Sequence, residues 1–307
     1  MIPASVRRAV AALALSITAC SADKPPPPRA LPTVPRFERD LDPNDLLPAD
    51  LDLVMRVDLA RMRAGIGAAA ADELARRAVK SGPESEIAEA LGCADVVWIG
   101  ARAAELDTGD RVTILEGKSC MPELGRSLWE KAPSPSGKVL VFDRRGEAPR
   151  AGTARIMNLG NRATVFVSPV ELESVKRVLG SGPDEGRGVP RAEGLLSLDL
   201  RPRPLSPGLA RRYPSIASVL AGIERVRGTA LLVDDGLRVS AEVLGKTPAG
   251  AEKAGKFLDA VRESLKEGRF AEAVKDARVE VVGKAVAVKV TVPAKVLLGV
   301  LGSDARK

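Results

Sequence analysis

The stretch "LRVSAEVLGKTP", residues 237–248, alternates aliphatic and polar side chains before it reaches a proline. The alternation places Val239, Ala241 and Val243 on one face, and Arg238, Ser240 and Glu242 on the other. Because successive side chains of a strand point to opposite sides, this pattern predicts a β-strand with one buried face. Proline is favoured at the first position of a helix, so Pro248 and the segment after it predict a helix.

The same order occurs earlier in the chain. The strand-like "RVTILEGKS" (111–119) is followed by Pro122 and by "ELGRSLWEKA" (123–132), which we interpret as a helix. Two further pairs of segments correspond in the same order: 53–61 with 195–203, and 163–182 with 288–304. Agreement in both order and spacing indicates a tandem repeat. The Gly- and Pro-rich "GSGPDEGRGVP" (180–190) is the natural boundary between the two halves.

Both halves contain Gly-Lys-Ser/Thr, which resembles the end of a phosphate-binding loop. Such a loop needs an additional glycine five residues before the Gly-Lys, so that backbone N–H groups can close around the phosphates. Val112 and Ser240 occupy that position, and both fall inside predicted strands. The repeat accounts for the two motifs, and nucleotide binding is excluded.

The predicted elements have the same order in each half: strand, helix, hairpin, helix, strands and a short helix. In the first half they are 52–59, 70–80, 95–103 with 111–117, 122–131, 138–144, 153–159, 162–168 and 169–179. In the second they are 194–201, 207–223, 226–233 with 237–245, 248–267, 277–282, 284–292 and 293–301. Alternating strands joined by short turns predict an α+β fold of two tandem repeats, each an antiparallel sheet with helices packed on one face.

Residues 1–19 have the pattern of a secretory signal peptide. Arg7 and Arg8 form a positive start, and the apolar run 9–17 is too short to span a bilayer. The following Ile17-Thr18-Ala19-Cys20 resembles the lipobox of bacterial lipoproteins. That resemblance implies that Cys20 is lipidated and becomes the mature N-terminus, with membrane attachment through its acyl chains; an ordinary cleaved signal is the alternative.

The segment after Cys20 predicts a tether. Residues 21–36 are rich in proline, which favours polyproline II at ~3.1 Å per residue, or a reach of about 50 Å. Ser21, where inner-membrane lipoproteins of the best-known sorting systems carry Asp, implies the outer membrane, facing the periplasm. The resulting domains are 1–19 signal peptide, 20–45 lipidated tether, 46–185 first repeat and 186–307 second repeat.

Cys93 and Cys120 flank the hairpin of the first repeat. The turn signal "DTGD" (107–110) predicts that Leu106 pairs with Arg111, which would place Cys93 opposite position 124. Flexible flanks would still bring the two sulfurs within bonding range, and an oxidising compartment favours the bond. We therefore expect a Cys93–Cys120 disulfide; two buried thiols are the alternative.

The composition excludes several kinds of chemistry. The chain of 307 residues has no histidine, which removes Ser-His-Asp and Cys-His catalysis and histidine-bound zinc. The acidic group Asp42, Asp45, Asp50 and Asp52 and the turn Asp234-Asp235-Gly236 are interpreted as caps and turns, with a weak calcium contact as the alternative. We expect no catalytic, cofactor-binding or metal site.

The net charge of +7 falls to +5 without Arg7 and Arg8, and such a mild excess does not indicate nucleic acid. The body is diffusely similar to uncharacterised two-repeat α+β lipoproteins of GC-rich bacteria, a resemblance that carries no functional residues. We expect a non-enzymatic envelope lipoprotein with a structural or partner-binding role. The alternative is a periplasmic carrier of a lipid or another apolar ligand.

Overall fold

The structure, a computed structural model, describes most of the chain beyond the predicted tether. The described residues are 43–72, 85–102, 110–118, 121–134, 139–148, 152–160, 162–181, 194–205, 207–234, 236–267, 271–293 and 296. Within these ranges no helix combines the length and the apolar character needed to cross a membrane.

Twelve strands and seven α-helices have both ends within this part of the chain. The strands are β1 (Leu53–Asp58), β2 (Ala94–Ala101), β3 (Arg111–Gly117), β4 (Trp129–Ala132), β5 (Leu140–Arg144), β6 (Arg155–Asn158), β7 (Ala163–Val167), β8 (Leu196–Leu200), β9 (Ile223–Val233), β10 (Gly236–Gly245), β11 (Arg278–Val282) and β12 (Ala285–Pro293). The helices are α1 (Leu59–Ile66), α2 (Ser85–Ala90), α3 (Leu172–Ser181), α4 (Pro207–Arg212), α5 (Pro214–Leu220), α6 (Pro248–Leu265) and α7 (Ala271–Val274). Short 3-10 helices occupy Pro43–Leu46, Leu91–Cys93 and Pro169–Glu171.

All twelve strands belong to one antiparallel sheet, in the order β11-β12-β10-β9-β8-β1-β2-β3-β7-β6-β5-β4. The two repeats meet where β1 pairs with β8, Leu53 opposite Leu200. From this central pair outward, β1-β2-β3-β7-β6 of the first half corresponds to β8-β9-β10-β12-β11 of the second. The α+β fold and the repeated strand order predicted from the sequence are therefore confirmed, within one continuous sheet.

The first half of the sheet is packed on both faces. On the front face, defined as the side of Val54 and Arg56, the segment with Leu46 and Leu51 packs with Val175 of α3 over the strands. On the back face, α1 and α2 cover a second cluster that includes Phe166. All five residues of β7 are buried, and four of them are apolar, as expected of a strand covered on both sides.

The second half of the sheet is packed on its back face. Ala251 and Ala254 of α6 lie against Val243 and Val286, and α5 contributes Val219. The front face of this half carries polar side chains, in agreement with the alternation of β10, and also the exposed Leu231 and Val282. Helices packed on one face therefore describe the second half, while the first half has packed elements on both faces.

The helix predicted over 122–131 is wrong. The carbonyl of Gly125 accepts hydrogen bonds from the N–H groups of Leu128 and Trp129, which closes a turn. Residues 129–132 then form β4, and Trp129 lies opposite Arg144 of β5. The local pattern favoured a helix, but burial of the Trp129 ring in the back-face cluster is gained only in the strand.

Other predicted elements differ in their bounds. The helix predicted over 207–223 is divided by Pro214 into α4 and α5, and β9 begins at Ile223, earlier than predicted. Residues 68–72 are helical, and the rest of the helix predicted over 70–80 lies outside the described residues. The helix predicted over 293–301 lies almost entirely outside the described residues. The predicted boundary between residues 185 and 186 also lies outside them and stays a prediction.

Candidate functional site

The Gly-Lys-Thr motif of the second half joins α5, β10 and α6. The Gly245 N–H donates to the Lys284 carbonyl at 2.8 Å, and Lys246 Nζ donates to the Ala221 carbonyl at 2.9 Å. Thr247 Oγ1 accepts from the Gly250 N–H at 3.1 Å and so caps the N-terminus of α6. A helix cap satisfies a backbone donor that has no partner within the helix, so the motif has a structural role.

The first copy uses its glycine in the same way. The Gly117 N–H donates to the Arg162 carbonyl just before β7, as Gly245 does just before β12. Gly117 has φ +145°, and a Cβ there would lie 2.8 Å from the Cys93 carbonyl oxygen. This close approach of the backbone explains why position 117 is a glycine. Ser119, the last residue of the first motif, lies outside the described residues.

The strand register around Cys93 differs from the predicted one. Ala94 lies opposite Gly117, so Cys93 is adjacent to the position of Lys118 rather than of Leu124. The predicted Leu106–Arg111 pairing is wrong, because β2 ends at Ala101, which itself pairs with Arg111. Cys93 is exposed and has no disulfide partner among the described residues. Cys120 lies outside them, so the disulfide stays a prediction.

One charge cluster centres on the fully buried carboxylate of Glu171. Its carboxylate accepts from Arg102 Nε at 2.6 Å and from Nη2 at 3.1 Å, and Arg102 Nη2 also donates to Asp50 at 2.9 Å. The hydrogen bond to Glu171 raises the pKa of Arg102. Burial acts to raise the pKa of Asp50, but Arg102, with Arg177 beyond it, holds that pKa below its usual range. Arg102 therefore stays protonated at neutral pH.

Asp52 extends the cluster into the second half. Its carboxylate pairs with Arg203 Nε at 2.5 Å, and its carbonyl accepts from the Arg201 N–H at 2.7 Å. Asp50 and Asp52, singled out in the sequence as an acidic group, are thus bound to arginines. In the part of the chain that the structure describes, no three acidic or cysteine side chains are grouped to hold a metal. Cys20 and Asp42 lie outside that part.

Both tryptophans, Trp98 and Trp129, lie in the core. Trp98 Nε1 donates to Glu116 at 2.7 Å, and the Arg56 guanidinium lies 5.7 Å from the ring centroid. Trp129 is held in the same way, with Glu86 as acceptor and Arg144 at 5.5 Å. An arginine over an aromatic face adds a cation–π attraction to the buried area. These partners are distant in sequence, and no local signal predicts them.

A Ser–Lys pair and a polar cleft are the remaining candidates for chemistry. Lys253 Nζ donates to Ser218 Oγ, but both side chains are exposed, whereas lysine activates a serine where burial desolvates the ammonium. The cleft, about 520 Å³, lies between β5, β6 and the start of α3. Its lining includes the charged residues Asp143, Arg144, Glu147 and Arg155. Asp143 and Arg155 form a forked ion pair, which raises the pKa of Arg155.

The front face of the second half is an exposed surface of the sheet that is rich in charged side chains. The cross-strand register brings its side chains together from β9, β10, β12 and β11. The exposed charged residues on it are Arg227, Arg238, Glu242, Arg278, Glu280 and Lys289. We refer to these six residues, with Thr229, Ser240 and Thr291 between them, as the charged face.

The fold and this surface define a single-sheet α+β protein with two tandem repeats. Its structure is similar to that of TP0453, a Treponema lipoprotein. In crystal form I the match covers 86% of this chain and 97% of that chain, at 13% identity and a TM-score of 0.52. In crystal form IV the match covers 86% of this chain and 98% of that chain, at 11% identity and a TM-score of 0.50. No family model matches the sequence, and no curated protein gives a significant match.

Proposed function

We propose that the protein is a lipid-anchored envelope lipoprotein with a non-catalytic, partner-binding role. The observation that carries this proposal is the charged face, a broad exposed surface on a rigid sheet whose opposite side is packed. Antiparallel sheets commonly keep one solvated face, and exposed ionic groups on a fixed scaffold give a surface its specificity for a partner.

The pairing of buried carboxylates with arginines supports a non-catalytic role. Catalytic acids and bases need a protonation state that changes near the working pH. The buried carboxylates of Glu171 and Asp199 are instead paired with Arg102 and Arg225. Each of these buried carboxylates is thereby satisfied by an arginine, as a scaffold requires.

The anchor is Cys20, and the Pro-rich segment after it presents the body away from the membrane. Two or three acyl chains exceed the single chain that gives only reversible attachment. With Ser21 following the cysteine, we propose the outer membrane, facing the periplasm. The partner is then another envelope component rather than a nucleic acid.

Metabolic labelling with an alkynyl palmitate in a bacterial host tests the anchor. The full chain should be labelled, and Cys20→Ala should abolish both the label and the recovery of protein in the membrane fraction. Cys93→Ala is the matched control, because it removes an exposed cysteine of the folded body and should keep the label. Label retained by Cys20→Ala would refute lipidation at this residue.

A specific observation also favours the carrier alternative. Several aliphatic side chains on the back face of the second half are only partly buried, namely Leu198, Leu200, Leu232, Leu237, Val239 and Val290. Partly exposed aliphatic side chains that share one face are typical of sites for apolar ligands. Native mass spectrometry of the mature chain with Cys20→Ser tests this: an added lipid mass that is lost on denaturation supports a carrier, and a bare polypeptide contradicts it.

A further inference from the structure

The charged face contains two like charges in direct opposition. Arg278 of β11 lies across from Lys289 of β12 in the strand register, and both side chains are exposed. Directly opposite residues of an antiparallel pair have Cβ atoms about 5 Å apart, and like charges there destabilise the sheet. The sequence thus keeps an unfavourable pair at a position where a neutral or acidic residue would cost nothing.

A third cation extends this pair. Arg238 of β10 lies opposite Thr291, the residue two positions beyond Lys289 on the same face of β12. Neither Arg238, Lys289 nor Arg278 has an ion-pair partner among the described residues. Three unpaired cations therefore lie on adjacent strands, spaced by about 5 Å across the sheet and about 7 Å along it.

Hydroxyl groups fill the spaces between the cations. Ser240 lies opposite both Lys289 and Thr229, and Thr291 lies opposite Arg238. Hydroxyls and cations together supply the donors that bind carboxylates, and charge-assisted hydrogen bonds are roughly twice as strong as neutral ones. The group is thus suited to a row of carboxylates.

Two carboxylates on the same face restrict the partner. Glu242 and Glu280 lie in the next cross-strand row, on either side of Ala287, and both are exposed. A uniformly anionic surface, such as a bilayer of anionic lipid, would be repelled by this row. A protein segment with patterned charge can place carboxylates on the cations and leave the acidic row to neutral or basic groups.

We propose that the charged face binds an acidic, extended segment of a partner protein, with the carboxylates seated over Arg238, Lys289 and Arg278. This inference rests on the partner-binding role proposed above and specifies its partner. The two proposals can be refuted separately, because the labelling test of the anchor at Cys20 does not involve the side chains of the charged face.

The test uses the mature chain with Cys20→Ser and a fluorescent peptide of alternating Glu and Thr as the probe. Anisotropy should report binding that weakens as salt is raised, because exposed charges are screened. The double variant Arg238→Glu/Lys289→Glu should weaken binding by about tenfold or more. The control Lys256→Glu/Lys266→Glu makes the same change in net charge at exposed positions of α6 and just beyond it, and should change binding less than about twofold.

Thermal unfolding supplies a readout that a structural role would not produce. Lys289→Glu places opposite charges across from one another at Arg278, so its Tm should rise by roughly 1–3 °C while peptide binding falls. Weaker binding in a chain that is at least as stable is the expected signature of a binding residue. Weaker binding with a lowered Tm would make these side chains structural and overturn the proposal.

Two further outcomes would also overturn it. Equal loss of binding in the charge-matched control would show that only net charge matters. The second outcome is that the chain does not bind the peptide but sediments with phosphatidylglycerol vesicles. If Arg238→Glu/Lys289→Glu abolished that sedimentation, the charged face would be shown to bind lipid.

Discussion

Arg102 and Glu171 form a forked ion pair in which the carboxylate has no exposed surface. The pair links the end of β2 to the 3-10 helix that leads into α3. Breaking a buried pair by removing one charge leaves the other uncompensated, which costs about 3–5 kcal/mol. Because Arg102 keeps Asp50 as a second partner, we expect Glu171→Gln to lower the free energy of unfolding by about 3 kcal/mol.

Urea unfolding measures this loss, and Glu173→Gln is the matched control. Glu173 lies two residues away, is 82% exposed and pairs with Lys176 on the surface of α3. Exposed pairs contribute about 0–1 kcal/mol, so its unfolding midpoint should stay close to that of the wild type. Equal effects of the two substitutions would contradict the central role of the buried pair.

Asp50 should make the stability depend on pH below about 4. Its folded pKa is lower than its unfolded value, ~3.9, so its contribution is present above that value and is lost as pH falls through the folded pKa. Asp50 is 38% exposed, so we expect Asp50→Asn to cost only about 0.5 kcal/mol at pH 7. The acid loss of stability should also become shallower in this variant.

Urea unfolding between neutral and acid pH compares Asp50→Asn with Glu252→Gln. The pKa of Glu252 is also lowered, by its hydrogen bond with Lys256, but this pair is fully exposed on α6. The prediction is supported if the free energy of unfolding falls less steeply with acid pH in Asp50→Asn but not in Glu252→Gln. Parallel curves for Asp50→Asn and the wild type would exclude it.

Two glycines in helices should respond to alanine in opposite directions. A Cβ at Gly250 would lie 2.6 Å from the Gly222 carbonyl oxygen, a backbone atom that cannot rotate away. We expect Gly250→Ala to cost about 1–3 kcal/mol through overpacking. A Cβ at Gly208 in α4 meets no atom within 4 Å, so Gly208→Ala should stabilise by about 0.4–1 kcal/mol. Denaturation midpoints measure both; a stable Gly250→Ala chain would refute the close packing of α5 on α6.

The predicted Cys93–Cys120 disulfide is testable by mass. The oxidised periplasmic chain should be lighter by two hydrogens, and only reductant should expose the two thiols to alkylation. Closing this loop should contribute roughly 3–4 kcal/mol in the chain-entropy model, so reduction should lower the unfolding midpoint. Cys93→Ser should abolish the effect of reductant on the unfolding midpoint. Equal alkylation with and without reductant would show that both cysteines are free thiols and contradict the disulfide.

Much of the sheet could be predicted because its strands are defined by local alternation. The β10 pattern and the matching order of the two halves depend on neighbours along the chain, and the structure confirms both. Residues 122–131 illustrate the opposite case. Their helical pattern is outweighed by contacts of Trp129 with Glu86 and Arg144, which come from other parts of the chain.

The charged face shows the same limit at the level of the site. Arg238 and Glu242 are visible in the sequence as the polar side of one strand. Their apposition with Arg278 and Lys289 follows from the register of β12 with both β10 and β11, which the sequence does not specify. Likewise, Asp50 was recognised as part of an acidic group, but its partner Arg102 lies 52 residues away.

The position of β1 has a mechanical consequence. The first strand, β1, lies at the centre of the sheet, because it is hydrogen-bonded to β2 on one side and to β8 on the other. If the proposed anchor holds the N-terminal side of the chain, a pull on it would load two rows of backbone hydrogen bonds in parallel, rather than peel away a single edge strand. Held by its N-terminus while a partner pulls on the second half, the body should resist force well beyond what an edge attachment would bear.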